Sequence, residues 1–249
     1  MPDERSQRLE TRHRGYETAT KSYTDRRYGH PAMQAYRDLR TERIRMELEH
    51  LKTDGGRPKL LDVGCGTGVL LGQLSELGDS LDLVGVDFSE RMLSEGRETL
   101  AERNPPVQLV RGNAFELPFS DDTFDVVVNT RFIHQYPNDL KRQLLSEIRR
   151  VLRTGGIGIV EFYSYWPWLM RYAMCLRTSF REHMIHATSH AQAAELIGSR
   201  FRLVPLNVPG STRLASMIGL SGLRAVRGTL ASCHMTFAFD QYLAVFRKP

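Results

Sequence analysis

The sequence predicts an α/β fold built on a doubly wound, mostly parallel sheet with helices on both faces. Between residues 59 and 162, short apolar segments alternate with helical patterns, and this alternation is typical of parallel strands joined by crossover helices. The glycine-rich loop "GCGTG" (64–68) directly follows the first apolar segment. In such sheets ligands bind beyond the carboxyl ends of the strands, so the loop also predicts where the site lies.

Each element is predicted from its own pattern. The apolar segments 59–63, 81–86, 107–110, 124–129 and 157–162 are predicted strands, and helices are predicted over about 68–77 and 89–102. A third helix begins at Asn138, and Gly155 and Gly156 are predicted to end it. Its shared apolar face comprises Leu140, Leu144, Leu145, Ile148, Val151 and Leu152.

The two ends of the chain have their own patterns. A helix is predicted before the first strand, where apolar residues recur at nearly helical spacing: Met33, Tyr36, Leu39, Ile44, Leu48 and Leu51. The segments 201–208 and 236–247 resemble strands. We expect residues 1–30 to form a flexible segment and residues 31–249 a single domain.

Composition and charge exclude several classes of protein. The chain has 249 residues, of which 41% are hydrophobic and 25% charged, as in soluble globular proteins. Its formal charge of +5 is dispersed, so RNA is not favoured as a partner but stays open as a substrate. We expect no secretory signal, no membrane span and, from three cysteines without a CxxC pair, a cytoplasmic protein.

The glycine loop and a nearby carboxylate predict a ribose-containing cofactor. Asp87 follows the second strand about twenty residues after the loop, where a carboxylate can accept hydrogen bonds from both ribose hydroxyls. The alternative role of capping the next helix can be filled by Ser89. The glycines follow GxGxG rather than the GxGxxG of nicotinamide-binding loops, and the sequence contains no GxxxxGK[ST] loop.

Four motifs, in this order, resemble those of the S-adenosylmethionine-dependent methyltransferases of class I: "LLDVGCGTG" (60–68), "VGVDFSERML" (84–93), "GNAFELPFSDDTFDVVV" (112–128) and "IRRVLRTGG" (148–156). The resemblance is strongest to the branch that includes quinone-biosynthesis enzymes, and it covers residues 16–156 and the final "QYLAVFRKP". It implies a seven-stranded sheet with an antiparallel last strand. It also implies methyl transfer from S-adenosylmethionine to an oxygen, nitrogen or carbon of a small or medium-sized molecule.

The resemblance also implies the cofactor contacts. Residues expected to line the methionine part are Asp62, Gly64, Cys65 and Gly66; those expected at the ribose and adenine are Asp87, Phe88, Met92, Asn113, Ala114 and Phe115. Asn129 and Arg131 would face the cofactor's amino-acid end or the substrate, and Tyr16 and Tyr23 would form a lid. Asn113 replaces the family's usual acidic residue, but its amide oxygen can still accept from the adenine amino group.

Candidate substrate and catalytic residues follow the fourth and fifth strands. His134 is a candidate general base, with a cofactor-packing or surface histidine as the alternative. Glu161 and Tyr163 are candidate catalytic residues or substrate contacts, with simple packing as the alternative. An insertion at about 163–190 is expected to cover the substrate, with Trp166 and Trp168 as a pocket wall or as simple packing. His183, His186 and His190 lack an HExxH motif, so we predict substrate contacts or a polar face rather than a metal site.

Two further functions stay open at this point. An RNA methyltransferase would use the basic surface, although the sequence carries no RNA-binding signature. A cofactor-binding regulatory or partner subunit without catalysis would keep the same cofactor motifs, because those motifs indicate binding only.

Overall fold

The computed structural model describes residues 31–49, 51, 56–76, 80–103, 106–163, 186, 188–198, 200–206 and 241–249. The elements in chain order are α1 (Pro31–Leu48), β1 (Lys59–Val63), α2 (Val69–Ser75), β2 (Asp82–Asp87), α3 (Glu90–Leu100), β3 (Val107–Arg111), β4 (Phe124–Asn129), a 3-10 helix (Ile133–Gln135), α4 (Asn138–Val151), β5 (Leu152–Tyr163), α5 (His190–Ile197), β6 (Phe201–Pro205) and β7 (Gln241–Arg247). The predicted alternation of strands and helices is confirmed.

The seven strands form one sheet in the order β3-β2-β1-β4-β5-β7-β6. β1 to β5 pair in parallel, whereas β7 lies antiparallel between β5 and β6. The expected seven-stranded sheet with an antiparallel last strand is therefore confirmed. The strand order reverses between β1 and β4, and in open α/β sheets this is where a ligand cleft forms.

Both faces of the sheet carry an apolar core. Neighbouring strand residues point to opposite faces, so Leu60 packs with α1 and α2 while Leu61 packs with α4 and α5. On the α1 side, Tyr36, Ile44 and Leu48 are buried against the sheet, in agreement with the predicted helix. The prediction of helices on both faces is confirmed.

The junction of α4 and β5 differs from the prediction. α4 ends at Val151, and Leu152 already has extended backbone (φ −68°, ψ 136°) and pairs with Phe124. Gly155 and Gly156 therefore lie inside β5, where the register shifts, and the prediction that they end the helix is wrong. The backbone packs closely here, since a Cβ at Gly156 would lie 2.8 Å from the Arg153 oxygen.

Some predicted features lie outside the described residues. These are the segment 1–30 with Tyr16 and Tyr23, and the greater part of the insertion with Trp166, Trp168 and His183. The division of the chain at residue 30 accordingly stays a prediction. Among the helices that the structure describes, none is long and apolar enough to cross a membrane.

Candidate active site

A cavity opens at the carboxyl ends of β1, β2 and β4, and it encloses about 1060 Å³ when the open space at its mouth is included. The predicted site residues that line it are Asp62, Gly64, Cys65, Gly66, Asp87, Phe88, Met92, Asn113, Ala114, Phe115 and Arg131. The structure thus brings most of the predicted cofactor residues together around one space.

The glycine loop forms one wall because its backbone needs conformations that other residues rarely adopt. Gly64, Gly66 and Gly68 have φ values of 75°, 56° and 71°, which explains why glycine recurs at every second position. The nitrogens of Gly64 and Cys65 both donate to the Val86 oxygen, at 2.8 and 3.1 Å, and tie the loop to β2. A Cβ at Gly64 would lie only 2.5 Å from the Phe132 ring, so this ring packs directly on the loop backbone.

The Asp87 carboxylate is held by two backbone donors. Oδ2 accepts from the Gly66 nitrogen at 2.8 Å, and Oδ1 accepts from the Ser89 nitrogen at 3.0 Å. The Ser89 hydroxyl accepts from the Met92 nitrogen and caps α3, as the sequence predicts. Each carboxylate oxygen has a second lone pair, so Asp87 retains capacity for donors such as ribose hydroxyls.

Two buried acceptor oxygens lie at the ends of the adjacent strands β1 and β4. The Asp62 side chain is 3% exposed, and its Oδ1 has no hydrogen-bond donor within the described chain. Burial raises the pKa of Asp62 to about 7; the Asp87 charge also raises it, and the Arg40 guanidinium opposes this. Asn129 donates from Nδ2 to the Val63 oxygen at 2.8 Å, while its Oδ1 likewise meets no donor among those residues. Of these two residues only Asp62 lines the cavity, and a buried acceptor there suits a cationic donor such as an ammonium group.

A polar network lies directly behind the cavity wall, centred on the fully buried Glu161. Oε1 of Glu161 accepts from the Tyr36 hydroxyl at 2.6 Å, and Oε2 accepts from the Arg131 nitrogen at 3.2 Å. The Arg40 Nη1 lies 3.7 Å from the same Oε2, and Arg40 itself lines the cavity. Burial raises the pKa of Tyr36 well above its usual value, and the Glu161 charge adds to this effect, so the hydroxyl stays a donor.

The role of α1 in this network is not predicted by the apolar pattern of the sequence. That pattern predicts Tyr36 only as one residue of an apolar helix face, and it gives Arg40 no role. The sequence does contain an indication that Arg40 is buried, because Tyr36, Arg40 and Ile44 recur at a spacing of four residues and therefore share one helix face. An arginine within an apolar stripe is rarely buried unless it is paired.

Several predicted site residues lie outside the cavity lining. Asn129, Glu161 and His134 are buried and do not line the cavity. The partly buried Tyr163 does not line it either, and its ring centroid lies 4.1 Å from that of His134. His186 donates from its backbone nitrogen to the His134 oxygen at 2.7 Å. The catalytic and substrate roles of these residues stay predictions.

The segment after β4 contributes residues to the cavity lining that were not predicted as site residues. Phe132, Gln135 and Tyr136 line the cavity, and the Tyr136 ring lies 5.0 Å from the rings of both Phe132 and Phe115. Arg131 also lines the cavity and has a left-handed backbone with φ 55°. A short loop after a strand has no periodicity from which such contacts could be predicted.

The site corresponds to a known family. A family profile described as a methyltransferase domain matches residues 60–156, which contain the glycine loop and Asp87. The demethylmenaquinone methyltransferase of Lysinibacillus sphaericus is 33% identical over 201 residues, covering 76% of this chain and 82% of the relative. The chain belongs to the methyltransferase family. This methyltransferase is an enzyme that transfers a methyl group from S-adenosylmethionine to a small molecule, as the sequence predicts.

Solved structures share the fold of this methyltransferase. The PH0226 protein of Pyrococcus horikoshii aligns with a TM-score of 0.57 and 23% identity, over 92% of this chain and 99% of that protein. Phosphoethanolamine N-methyltransferase 2 of Haemonchus contortus, in complex with S-adenosylmethionine, aligns with a TM-score of 0.60 and 16% identity, over 93% and 61% of the two chains. The class I fold expected from the motifs is therefore confirmed.

Proposed function

We propose that the methyl acceptor of this enzyme is a quinol, a hydroxylated aromatic ring that resembles the reduced form of demethylmenaquinone. The observation that carries the proposal is the cavity wall after β4, which Arg131, Phe132 and Tyr136 line together. Relatives 33% identical to this chain are demethylmenaquinone methyltransferases. Aromatic side chains favour a flat apolar ring, and a guanidinium favours an ionised hydroxyl on it.

The charged groups of the cofactor would be held by side chains of opposite charge. Asp62 and Arg40 line the same cavity, and they suit the ammonium and carboxylate of the amino-acid end. Asp87 suits the ribose hydroxyls, and Asn113 with Phe115 suits the adenine. The unpartnered Oδ1 of Asp62 supports this assignment, because a buried acceptor favours a donor from the ligand.

When bound, S-adenosylmethionine supplies a methyl group on a positively charged sulfur. The protein's part is to orient the acceptor and exclude water, and orientation alone can be worth about 7–11 kcal/mol. Arg131 would stabilise the ionised form of the ring hydroxyl, and ionisation makes the adjacent ring carbon nucleophilic. That carbon would gain the methyl group as the methyl–sulfur bond breaks and the neutral thioether leaves, and its proton would be released to solvent afterwards. Phe132 and Tyr136 would keep water away from the reacting atoms.

The test is methyl transfer to a chemically reduced demethylated naphthoquinol, with labelled S-adenosylmethionine and mass spectrometry of the product. The oxidised quinone and total RNA serve as alternative acceptors in parallel reactions. We expect label in the quinol alone, and loss of turnover in Arg131→Met while binding of S-adenosylhomocysteine is largely retained. Label in RNA, or in neither form of the quinone, would contradict the proposal.

A further inference from the structure

We infer that Glu161 is a positioning residue of the methyl-transfer site, which acts from behind the cavity wall through Arg40 and Arg131. The inference rests on the proposed function in one respect, the assignment of Arg40 to the carboxylate of the cofactor. Glu161 itself is fully buried and outside the cavity lining. It therefore influences the ligand through the groups that it holds rather than by contact.

The first of these groups is the backbone of Arg131. Its φ of 55° lies in the left-handed region, which is unfavourable for a residue with a Cβ. The hydrogen bond of 3.2 Å from the Arg131 nitrogen to Glu161 Oε2 supports this conformation. The same turn carries Phe132, whose ring packs on Gly64. Glu161 thus holds the turn that places the aromatic wall against the glycine loop.

The second group is the guanidinium of Arg40, which is 2% exposed. A buried guanidinium needs a counter-charge nearby, and Glu161 Oε2 lies 3.7 Å from its Nη1. Asp62 also faces Arg40 from β1, but its pKa of about 7 leaves part of that carboxyl protonated near neutral pH. Glu161 therefore supplies a counter-charge to Arg40 from the side away from the cavity.

Tyr36 completes the arrangement from the same helix as Arg40. Tyr36 precedes Arg40 by four residues along α1, and its hydroxyl donates to Glu161 Oε1 at 2.6 Å. One carboxylate thereby joins α1, the end of β5 and the turn after β4. Since α1 precedes the matched family segment 60–156, a helix outside that segment takes part in the site.

The test measures the binding of S-adenosylhomocysteine by calorimetry, so that no acceptor is needed. Glu161→Gln keeps the shape and removes the charge, and we expect its affinity to fall about tenfold. The matched control is Asp125→Asn at the opposite end of the sheet, since Asp125 also accepts from a backbone nitrogen (Lys59, 2.7 Å) and pairs with an arginine (Arg153, 2.6 Å). The control should lose stability without a change in affinity.

A double-mutant cycle with Arg40→Met separates positioning from a general loss of structure. The part of the Glu161 effect that passes through Arg40 should disappear in the Arg40→Met background. Glu161→Gln should therefore cause a clearly smaller loss of affinity there, and the remainder passes through the Arg131 turn. The double variant should also melt at a higher temperature than Arg40→Met alone, because that single variant leaves a buried carboxylate without its cation. Equal losses of affinity in both backgrounds would overturn the inference.

Tyr36→Phe provides a second, milder variant should Glu161→Gln not fold. It removes one hydrogen bond from Glu161, and we expect a loss of affinity of about threefold. Tyr242→Phe is its control, because the buried Tyr242 hydroxyl donates to the Thr188 oxygen instead. Identical affinities for Tyr36→Phe and Tyr242→Phe would contradict the inference. If the quinol is not methylated, only the proposed acceptor is contradicted. The binding experiments with S-adenosylhomocysteine still test the role of Glu161, because they need no acceptor.

Discussion

The carboxylate of Asp87 accepts a hydrogen bond of 2.8 Å from the backbone nitrogen of Gly66. This contact joins the end of β2 to the loop after β1, so these two parts of the candidate site keep a fixed separation. A second hydrogen bond from Ser89 holds the other carboxylate oxygen. The carboxylate is therefore oriented before a ligand binds, which reduces the entropy lost on binding.

Asp87→Asn tests the assignment of this carboxylate to ribose. The amide has one acceptor oxygen where the carboxylate has two, and it cannot serve both ribose hydroxyls and the Gly66 nitrogen. We expect the affinity for S-adenosylhomocysteine to fall at least about tenfold, measured by calorimetry. Asp82→Asn, at the start of the same strand, is the control, and an equal effect of both variants would refute the assignment.

Gly64 and Gly66 form a matched pair for alanine substitution. Both have positive φ, but a Cβ at Gly64 would meet the Phe132 ring at 2.5 Å whereas a Cβ at Gly66 meets nothing within 4 Å. We expect Gly66→Ala to lower the free energy of unfolding by about 1–2 kcal/mol and Gly64→Ala by about 2–4 kcal/mol. Denaturant unfolding checks this difference. Adding Phe132→Ala should relieve part of the Gly64→Ala effect, and no relief would argue against the clash.

Asp62 predicts a dependence of stability on pH. Its pKa of about 7 in the folded protein is higher than the value of about 3.9 expected in the unfolded chain. Between these values the folded state binds the extra proton, so stability falls as pH rises through this window, by at most about 1.4 kcal/mol per pH unit. The free energy of unfolding of Asp62→Asn should increase relative to that of the parent protein as pH rises from 4 to 7. Above pH 7 the difference between the two should stay constant. A difference independent of pH in urea titrations would contradict the raised pKa.

His134 can be tested by substitution with asparagine. The sequence suggests it as a general base, and loss of a general base typically lowers turnover by about 10²–10⁴-fold. In the structure its side chain is buried outside the cavity lining and packs against Tyr163. We therefore expect His134→Asn to retain more than about one tenth of parent turnover, in contrast to removal of a base. A loss of a hundredfold with unchanged melting temperature would instead support the base role.

The parts of the site that were predictable from the sequence are formed by residues close together along the chain. The glycine spacing at 64, 66 and 68 reflects three left-handed backbones within one turn, and Asp87 follows directly from the end of β2. Both are properties of short segments, so they are visible in the sequence. The strands and helices were predictable for the same reason, apart from the junction at Leu152, where local helical periodicity continued one residue beyond the helix itself.

By itself, the sequence determined the α/β alternation, the position of the glycine loop and the carboxylate beside it. Only the tertiary structure brought Tyr36 to Glu161, 125 positions away, and placed Arg40 in the cavity wall. The physical reason is that the pairing of a buried charge depends on how α1 packs against the sheet. No local pattern encodes that packing, whereas the backbone conformation of a glycine loop is encoded by its own residues.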